Sequence, residues 1–297
     1  MKREETFESQ RAKILTISHR KHLEKVGALG VQRPLCIVAE PIVETTTTTD
    51  HVDNENKSVI TKIIHFQRHG EGFHNLICNM WREKDIPIDF NSSDDRLNPI
   101  VRTEFLDSPL TELGRQQCKS RRDQCSILSP ELIIVSPLQR CIQTALLSFY
   151  DFHYQSKTDE ESSTCRKSVP WISHEGCREE LGLLMCNKRK TISEIQIDHP
   201  NIDFSEIEHD QDILWEQYGD RRETPLERCE RVYDFLTDFV KNRPEKEIAI
   251  VSHSVLLFTL LNAVMDVQNE FLRSWFVTSE VRSMKVHFKT NDAYTPK

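Results

Sequence analysis

The sequence has no C-x-x-C pair, no apolar leader and no surplus of positive charge, and each absence removes a class of protein. Nine cysteines, an odd number without paired spacing, supply neither a disulfide framework nor a zinc knuckle. They fit a reducing compartment. Glu4, Glu5 and Glu8 stand where a signal peptide would have its apolar core, which argues against a secretory signal and against an acid-poor transit peptide. The expected location is the cytoplasm, with the nucleus also open. A formal net charge of -8 argues against general binding to nucleic acid or to an anionic membrane surface, while leaving room for a local basic pocket. No internal repeat is visible. Residues 248–265, IAIVSHSVLLFTLLNAVM, have the length of a membrane span, but Ser252, His253, Ser254 and Asn262 interrupt it. A buried strand leading into a buried helix accounts for that run.

What is present is the pattern of an α/β enzyme. With 297 residues, 37% apolar and 29% charged, the chain can bury one large core and carry extensions. Residues 1–57 lack a sustained hydrophobic period and end in the polar run ETTTTTDHVDNENKS. They read as an N-terminal arm and linker, with a helix near residues 7–26, so the folded domain is expected over 58–297. There the strand-like runs VITKIIHF, ELIIVS, VPWIS, EIAIVS and VRSMKVHF alternate with helix-like runs. The helix-like runs are TELGRQQCKSRRDQC, PLQRCIQTALLSFYDF, TPLERCERVYDFLTDFVKNR and SVLLFTLLNAVM. Thr224, Pro225 and Glu227 open the third of these as a capping box with proline at the first helical position. The alternation predicts an α/β fold, a three-layer sandwich with a mostly parallel central sheet and helices on both faces. The polar, acidic residues 181–223 read as an insertion able to cover a pocket.

In open α/β sheets ligands bind beyond the carboxyl ends of the strands. Arg68, His69 and Gly70 follow the first strand; Ser136, Pro137 and, one turn later, Arg140 follow ELIIVS; His253 follows EIAIVS. A metal fits these positions poorly. On a strand the four-residue spacing of His65 and His69 separates their α carbons by roughly 13 Å, and the other residues at the strand ends are arginines, which repel a cation. Arginines with neutral histidines suit phosphate instead, because guanidinium forks match its oxygens and helix N-termini add N–H donors. Surrounding positive charge keeps the His69 imidazole neutral and nucleophilic. It is then able to attack phosphorus in line while Arg68, Arg140 and His253 hold the equatorial oxygens. His65 reads as structural, and His74 as a residue bordering the next helix. The basic clusters at Lys188 to Lys190 and Arg221 to Arg222 are the candidates for reading substrate beyond the phosphate.

The motifs RHGEGFHN, SPLQRCIQTA, CREELG and IVSHS occur in this order over residues 60 to about 288, and together they resemble the histidine phosphatase superfamily, also called phosphoglycerate mutase-like proteins. The resemblance implies a phosphoglycerate mutase-like catalytic domain over 58–297 and a phosphohistidine at His69. It further implies phosphate contacts from Arg68, Arg140 and His253, with a contribution from Asn75. An acid that protonates the leaving oxygen and then activates water falls by resemblance on Glu179, with the adjacent Glu180 as its competitor. Ser254 departs from the glycine that many members carry after the second histidine; serine is small enough to keep the loop.

The expected activity is hydrolysis of a small phosphorylated metabolite, or of a phosphoprotein, without metal or other cofactor and through a phosphohistidine. A phosphomutase would use the same pocket, differing in how well the intermediate excludes water. A binding protein that has kept the pocket and lost turnover would need neither nucleophile nor acid.

Overall fold

The structure is a computed structural model and describes residues 35–42, 59–152 and 169–290. Among these residues seven strands form one sheet: β1 Leu35–Pro41, β2 Ile60–Arg68, β3 Leu132–Val135, β4 Trp171–Ser173, β5 Glu247–Ser252, β6 Asp266–Val267 and β7 Val281–Thr290. Their order is β4-β3-β5-β2-β7-β1-β6. The β4-β3, β3-β5, β5-β2 and β1-β6 pairs are parallel, and only β7 runs against its two neighbours. The sheet is therefore mostly parallel, as the alternation predicts.

The period of two along each strand sends side chains into two separate cores. Leu132, Ile134, Ile248 and Ile250 pack with Val232, Leu236, Leu256 and Leu257 on one face. Ile133, Val135, Ala249 and Val251 pack with Cys141, Ile142, Ala145 and Ile195 on the other. Both faces are covered, which is why β3 and β5 read as unbroken apolar runs. The main helices are α1 Phe73–Glu83, α2 Glu112–Lys119, α3 Gln139–Ser148, α4 Ile192–Asp198, α5 Pro225–Asp234 and α6 Ser254–Thr259. The expected capping box of α5 is present: Thr224 Oγ1 accepts from the Glu227 N–H at 3.3 Å, and Glu227 Oε2 accepts from the Thr224 N–H at 2.8 Å. Two helices run on with wider turns, in which the N–H of Lys241 bonds to the carbonyl of Leu236 and that of Met265 to the carbonyl of Leu260. The run at 248–265 is β5 followed by α6 and its wide turn, and among the described residues no helix is long and apolar enough to cross a membrane.

One expectation is corrected. The sheet begins upstream of residue 58, because β1 pairs along its whole length with β7. Seven residues inside a polar arm are too few to give a sustained period, although the alternating burial of Ile37 and Ala39 is that of a strand. The insertion at 181–223 is packed into the fold: Leu181, Cys186, Asn187, Arg189 and Ile195 are buried, and α4 belongs to the second core. The helix expected near residues 7–26 lies outside the described residues.

Candidate active site

The register of the sheet brings three strand ends to one level. Arg68 of β2 lies opposite Ser252 of β5, and Val135 of β3 opposite Val251. The ladder continues one step, since the His69 N–H donates to the Ser252 carbonyl at 2.9 Å and the Ser136 N–H to the Val251 carbonyl at 3.1 Å. His69, Ser136 and His253 therefore leave the sheet side by side.

Beyond His69 the chain lies directly on α2. A Cβ on Gly70 would come within 2.6 Å of the Gly114 carbonyl oxygen, and one on Gly114 within 2.1 Å of the Glu71 carbonyl oxygen. Only two glycines permit that approach. Thr144 Oγ1 accepts from the Gly70 N–H at 3.0 Å and Gln117 Oε1 from the Glu71 N–H at 2.9 Å. This fixes the loop that orients His69, whose Nδ1 is 2.6 Å from the Gly70 carbonyl oxygen. A carbonyl can only accept, so Nδ1 carries the proton and Nε2 keeps the lone pair. His69 is buried, and burial together with the charges of Arg140 and Arg68 holds its pKa well below the ordinary value. The ring is neutral at physiological pH.

The cations are placed with equal definition. Arg140, on the first turn of α3, is fully buried; it donates to the Cys186 carbonyl at 2.6 Å and to Asn187 Oδ1 at 2.9 Å. Arg68 donates to the Phe276 carbonyl at 2.7 Å, and burial lowers its pKa to about 10, which leaves it charged. The Nε atoms of both arginines are buried without a hydrogen-bond partner among the described residues. The His253 ring lies 5.1 Å from that of His69 between centroids, with Nε2 2.8 Å from Ser136 Oγ and 3.3 Å from Cys141 Sγ. Its pKa too is pushed well below the ordinary value, by burial and then by Arg140. Asn75 Oδ1 accepts from the Gly72 N–H at 3.0 Å, starting α1, so its amide NH₂ is the part left to donate.

The two adjacent glutamates differ sharply. Glu180 Oε1 accepts from Arg228 Nη1 at 2.9 Å, and Oε2 accepts from Arg222 Nε at 2.7 Å and from Arg222 Nη2. Among the described residues Glu179 forms no ion pair of this kind. Its carboxylate accepts from the backbone N–H groups of Val255 at 3.3 Å and Leu256 at 3.2 Å, just after His253. Burial raises the Glu179 pKa against the pull of Arg140. The arrangement joins a neutral nucleophilic imidazole, two guanidinium groups whose buried Nε atoms are spare donors, a second imidazole and a carboxyl group with raised proton affinity.

The family model of the histidine phosphatase superfamily (branch 1) matches residues 100–162 and 164–294. The chain belongs to this superfamily. Phosphoglycerate mutase-like protein 1 of Arabidopsis thaliana is 33% identical over 247 residues, which cover 76% of this chain and 81% of that protein. Another Arabidopsis thaliana protein, named phosphoglycerate mutase-like protein, is 36% identical over 222 residues, covering 68% of this chain and 74% of its own length. Among solved structures, the alpha-ribazole phosphatase from Shigella flexneri is 17% identical with a TM-score of 0.44, over 79% of this chain and 98% of that one.

Within this histidine phosphatase superfamily chain, the expected site residues His69, His253, Arg68 and Arg140 converge, with Glu179 beside His253 and Asn75 at the start of α1. His65 stands apart, 2.7 Å from Ser283 Oγ through Nδ1 and 2.9 Å from Glu247 through Nε2. His74, expected to border the helix and to stay outside the chemistry, does occupy the second position of α1, yet its ring lies 5.5 Å from that of His69. Of the basic clusters, Arg189 spends its guanidinium on Glu175 and on backbone carbonyls of residues 190 and 209–211, and Arg221 pairs with Glu227. Arg189 is thereby withheld from a substrate, whereas the Arg221 pair is exposed on the surface. Asp107 and Asn187 were not legible as site residues: Asp107 Oδ1 accepts from the Gln139 N–H at 2.8 Å, setting the turn that carries Arg140, and Asn187 holds its guanidinium. Both act on Arg140 from more than thirty residues away, and nothing local in the sequence marks them.

Proposed function

We propose that the protein is a phosphatase that hydrolyses a small phosphorylated metabolite through a phosphohistidine on Nε2 of His69. The observation that carries this reading is the committed Nδ1–H of His69, which leaves Nε2 nucleophilic beside Arg68 and Arg140, whose buried Nε–H donors lack partners. A phosphoryl group supplies the missing acceptors. In the first step Nε2 attacks phosphorus in line; Arg68, Arg140 and His253 stabilise the equatorial oxygens, and protonated Glu179 gives its proton to the leaving alkoxide. In the second step the Glu179 carboxylate takes a proton from water as the water oxygen attacks phosphorus, and the P–N bond breaks to release phosphate. The chemistry needs no cofactor, because nucleophile, acid and cations are all side chains. Seven buried free cysteines among the described residues, from Cys78 to Cys229, support the cytoplasm as its place of action.

The names of the Arabidopsis relatives favour a second reading, a phosphomutase in which the phosphoryl group passes from His69 to another hydroxyl of the substrate. One experiment separates the two: incubation with a panel of phosphorylated metabolites, scoring released phosphate, isomerised product and acid-labile phosphoenzyme in the wild type and in His69→Ala. Hydrolysis predicts free phosphate and a phosphoenzyme that vanish with His69→Ala. Isomerised product dependent on a bisphosphorylated primer points to the mutase, and absence of both products and of phosphoenzyme in the wild type refutes both readings.

A further inference from the structure

We infer that His74 is a third imidazole of the phosphate pocket and donates a hydrogen bond from its ring N–H to the bound phosphoryl group. This deepens the phosphatase reading and rests on it. The first observation is an unsatisfied atom. His74 is 9% exposed, and its Nδ1 is buried with no hydrogen-bond partner among the described residues. The other buried histidines among the described residues are engaged: His65 with Ser283 and Glu247, His69 with the Gly70 carbonyl, His253 with Ser136. Buried polar groups as a rule have partners, and an exception points to a ligand or to strain. The His74 backbone is regular helix, so strain does not account for it.

The second observation is the space made for the ring. A Cβ on Gly72 would stand 2.8 Å from both Nδ1 and Cε1 of His74, although Gly72 has an ordinary extended backbone that any residue can adopt. The imidazole occupies the space that a side chain at residue 72 would take, and a Cβ there would push the ring from its place. The ring is thereby held against the nucleophile, 5.5 Å from His69. The third observation is the company it keeps: burial first, then the charges of Arg140 and Arg68, disfavour its protonation. A cation is excluded as partner beside two guanidinium groups. An anionic oxygen is the acceptor this set of donors shares, and a neutral imidazole contributes one N–H to it.

The test uses inorganic phosphate as probe, with binding measured calorimetrically on the wild type, His74→Phe and His74→Gln, folding being checked by circular dichroism. His74→Phe fills the space without a donor and should weaken phosphate binding about tenfold, the loss of one hydrogen bond to a charged group. His74→Gln keeps a donor and should recover most of that loss. In parallel, the ¹⁵N resonances of the His74 ring in the wild type, assigned by their loss in His74→Gln, should move on titration with phosphate, which keeps the inference testable if His74→Phe does not fold. Phosphate binding by His74→Phe within twofold of wild type, or unmoved ring resonances, overturns the inference while leaving the phosphatase reading intact. A wild type that neither binds phosphate nor forms a phosphoenzyme overturns both.

Discussion

Glu179 and Glu180 are adjacent, identical in chemistry and predicted to fail in opposite ways. Glu180→Gln strips the charge from a carboxylate shared by Arg228 and Arg222, with Arg228 almost fully buried. Removing one partner from a buried pair costs about 3–5 kcal/mol; because glutamine keeps one acceptor oxygen and Arg222 is partly exposed, the lower end applies. A loss of about 3 kcal/mol lowers Tm by about 5–10 °C in a domain of this size, and turnover in the folded fraction should survive. Glu179→Gln does the reverse. Burial already disfavours the charged form of Glu179, so neutral glutamine should leave Tm unchanged or raise it. Turnover on an alkyl phosphate should fall about 10²–10⁴-fold with the loss of the general acid. An aryl phosphate such as p-nitrophenyl phosphate has a good leaving group and needs little protonation, so phosphoenzyme formation should continue while its hydrolysis, deprived of a base, stalls. Rapid quench with p-nitrophenyl phosphate should then trap acid-labile phosphoprotein in Glu179→Gln. Wild-type turnover of alkyl phosphates by Glu179→Gln, or an equal loss of turnover in a fully stable Glu180→Gln, would refute the assignment.

Other outcomes follow from the same geometry. Arg140→Lys replaces a fork that spans the Cys186 carbonyl and Asn187 with a single point charge, and kcat should drop on the order of 10²–10³-fold with the fold intact by circular dichroism; unchanged kcat would count against phosphate binding at Arg140. Gly182→Ala places a Cβ 2.2 Å from the Arg221 carbonyl oxygen at a φ of +79, so chemical denaturation should show a loss of about 1–3 kcal/mol. His174 accepts from the Gly176 N–H and is held by burial at a pKa of about 4. Between about pH 6.5 and 4 the unfolded chain binds more protons there, so this contribution is complete above 6.5 and is lost as the pH falls toward 4. Asp107, raised to about 6 by burial, opposes that trend, so the informative comparison is between variants. From pH 7.5 to 5 the wild type should lose about 2 kcal/mol more than His174→Phe in urea titrations, and equal losses would refute the sign.

The fold was largely legible because its signals are local. Continuous apolar runs such as ELIIVS mark strands buried on both faces, and Thr224 with Pro225 and Glu227 marks the start of α5. Strand β1 escaped notice because its partner, β7, is more than two hundred residues away and seven residues give no sustained period. The site divides along the same line. Arg68, His69, Arg140 and His253 could be named from sequence because each ends a strand, directly follows one or opens the next helix, where an α/β sheet presents its ligands. Spacing on the chain also put His65 outside the site. Distances between distant segments could not be read that way: they commit Glu180 to Arg222 and Arg228, set Glu179 on the backbone beyond His253, turn Arg189 inward and bring His74 against His69. The sequence by itself determined which residue types stand at the strand ends, because the backbone period and the caps are written in neighbouring residues. Only the tertiary structure decided which of those groups are paired, since a hydrogen bond or ion pair depends on segments brought together by packing of the two cores.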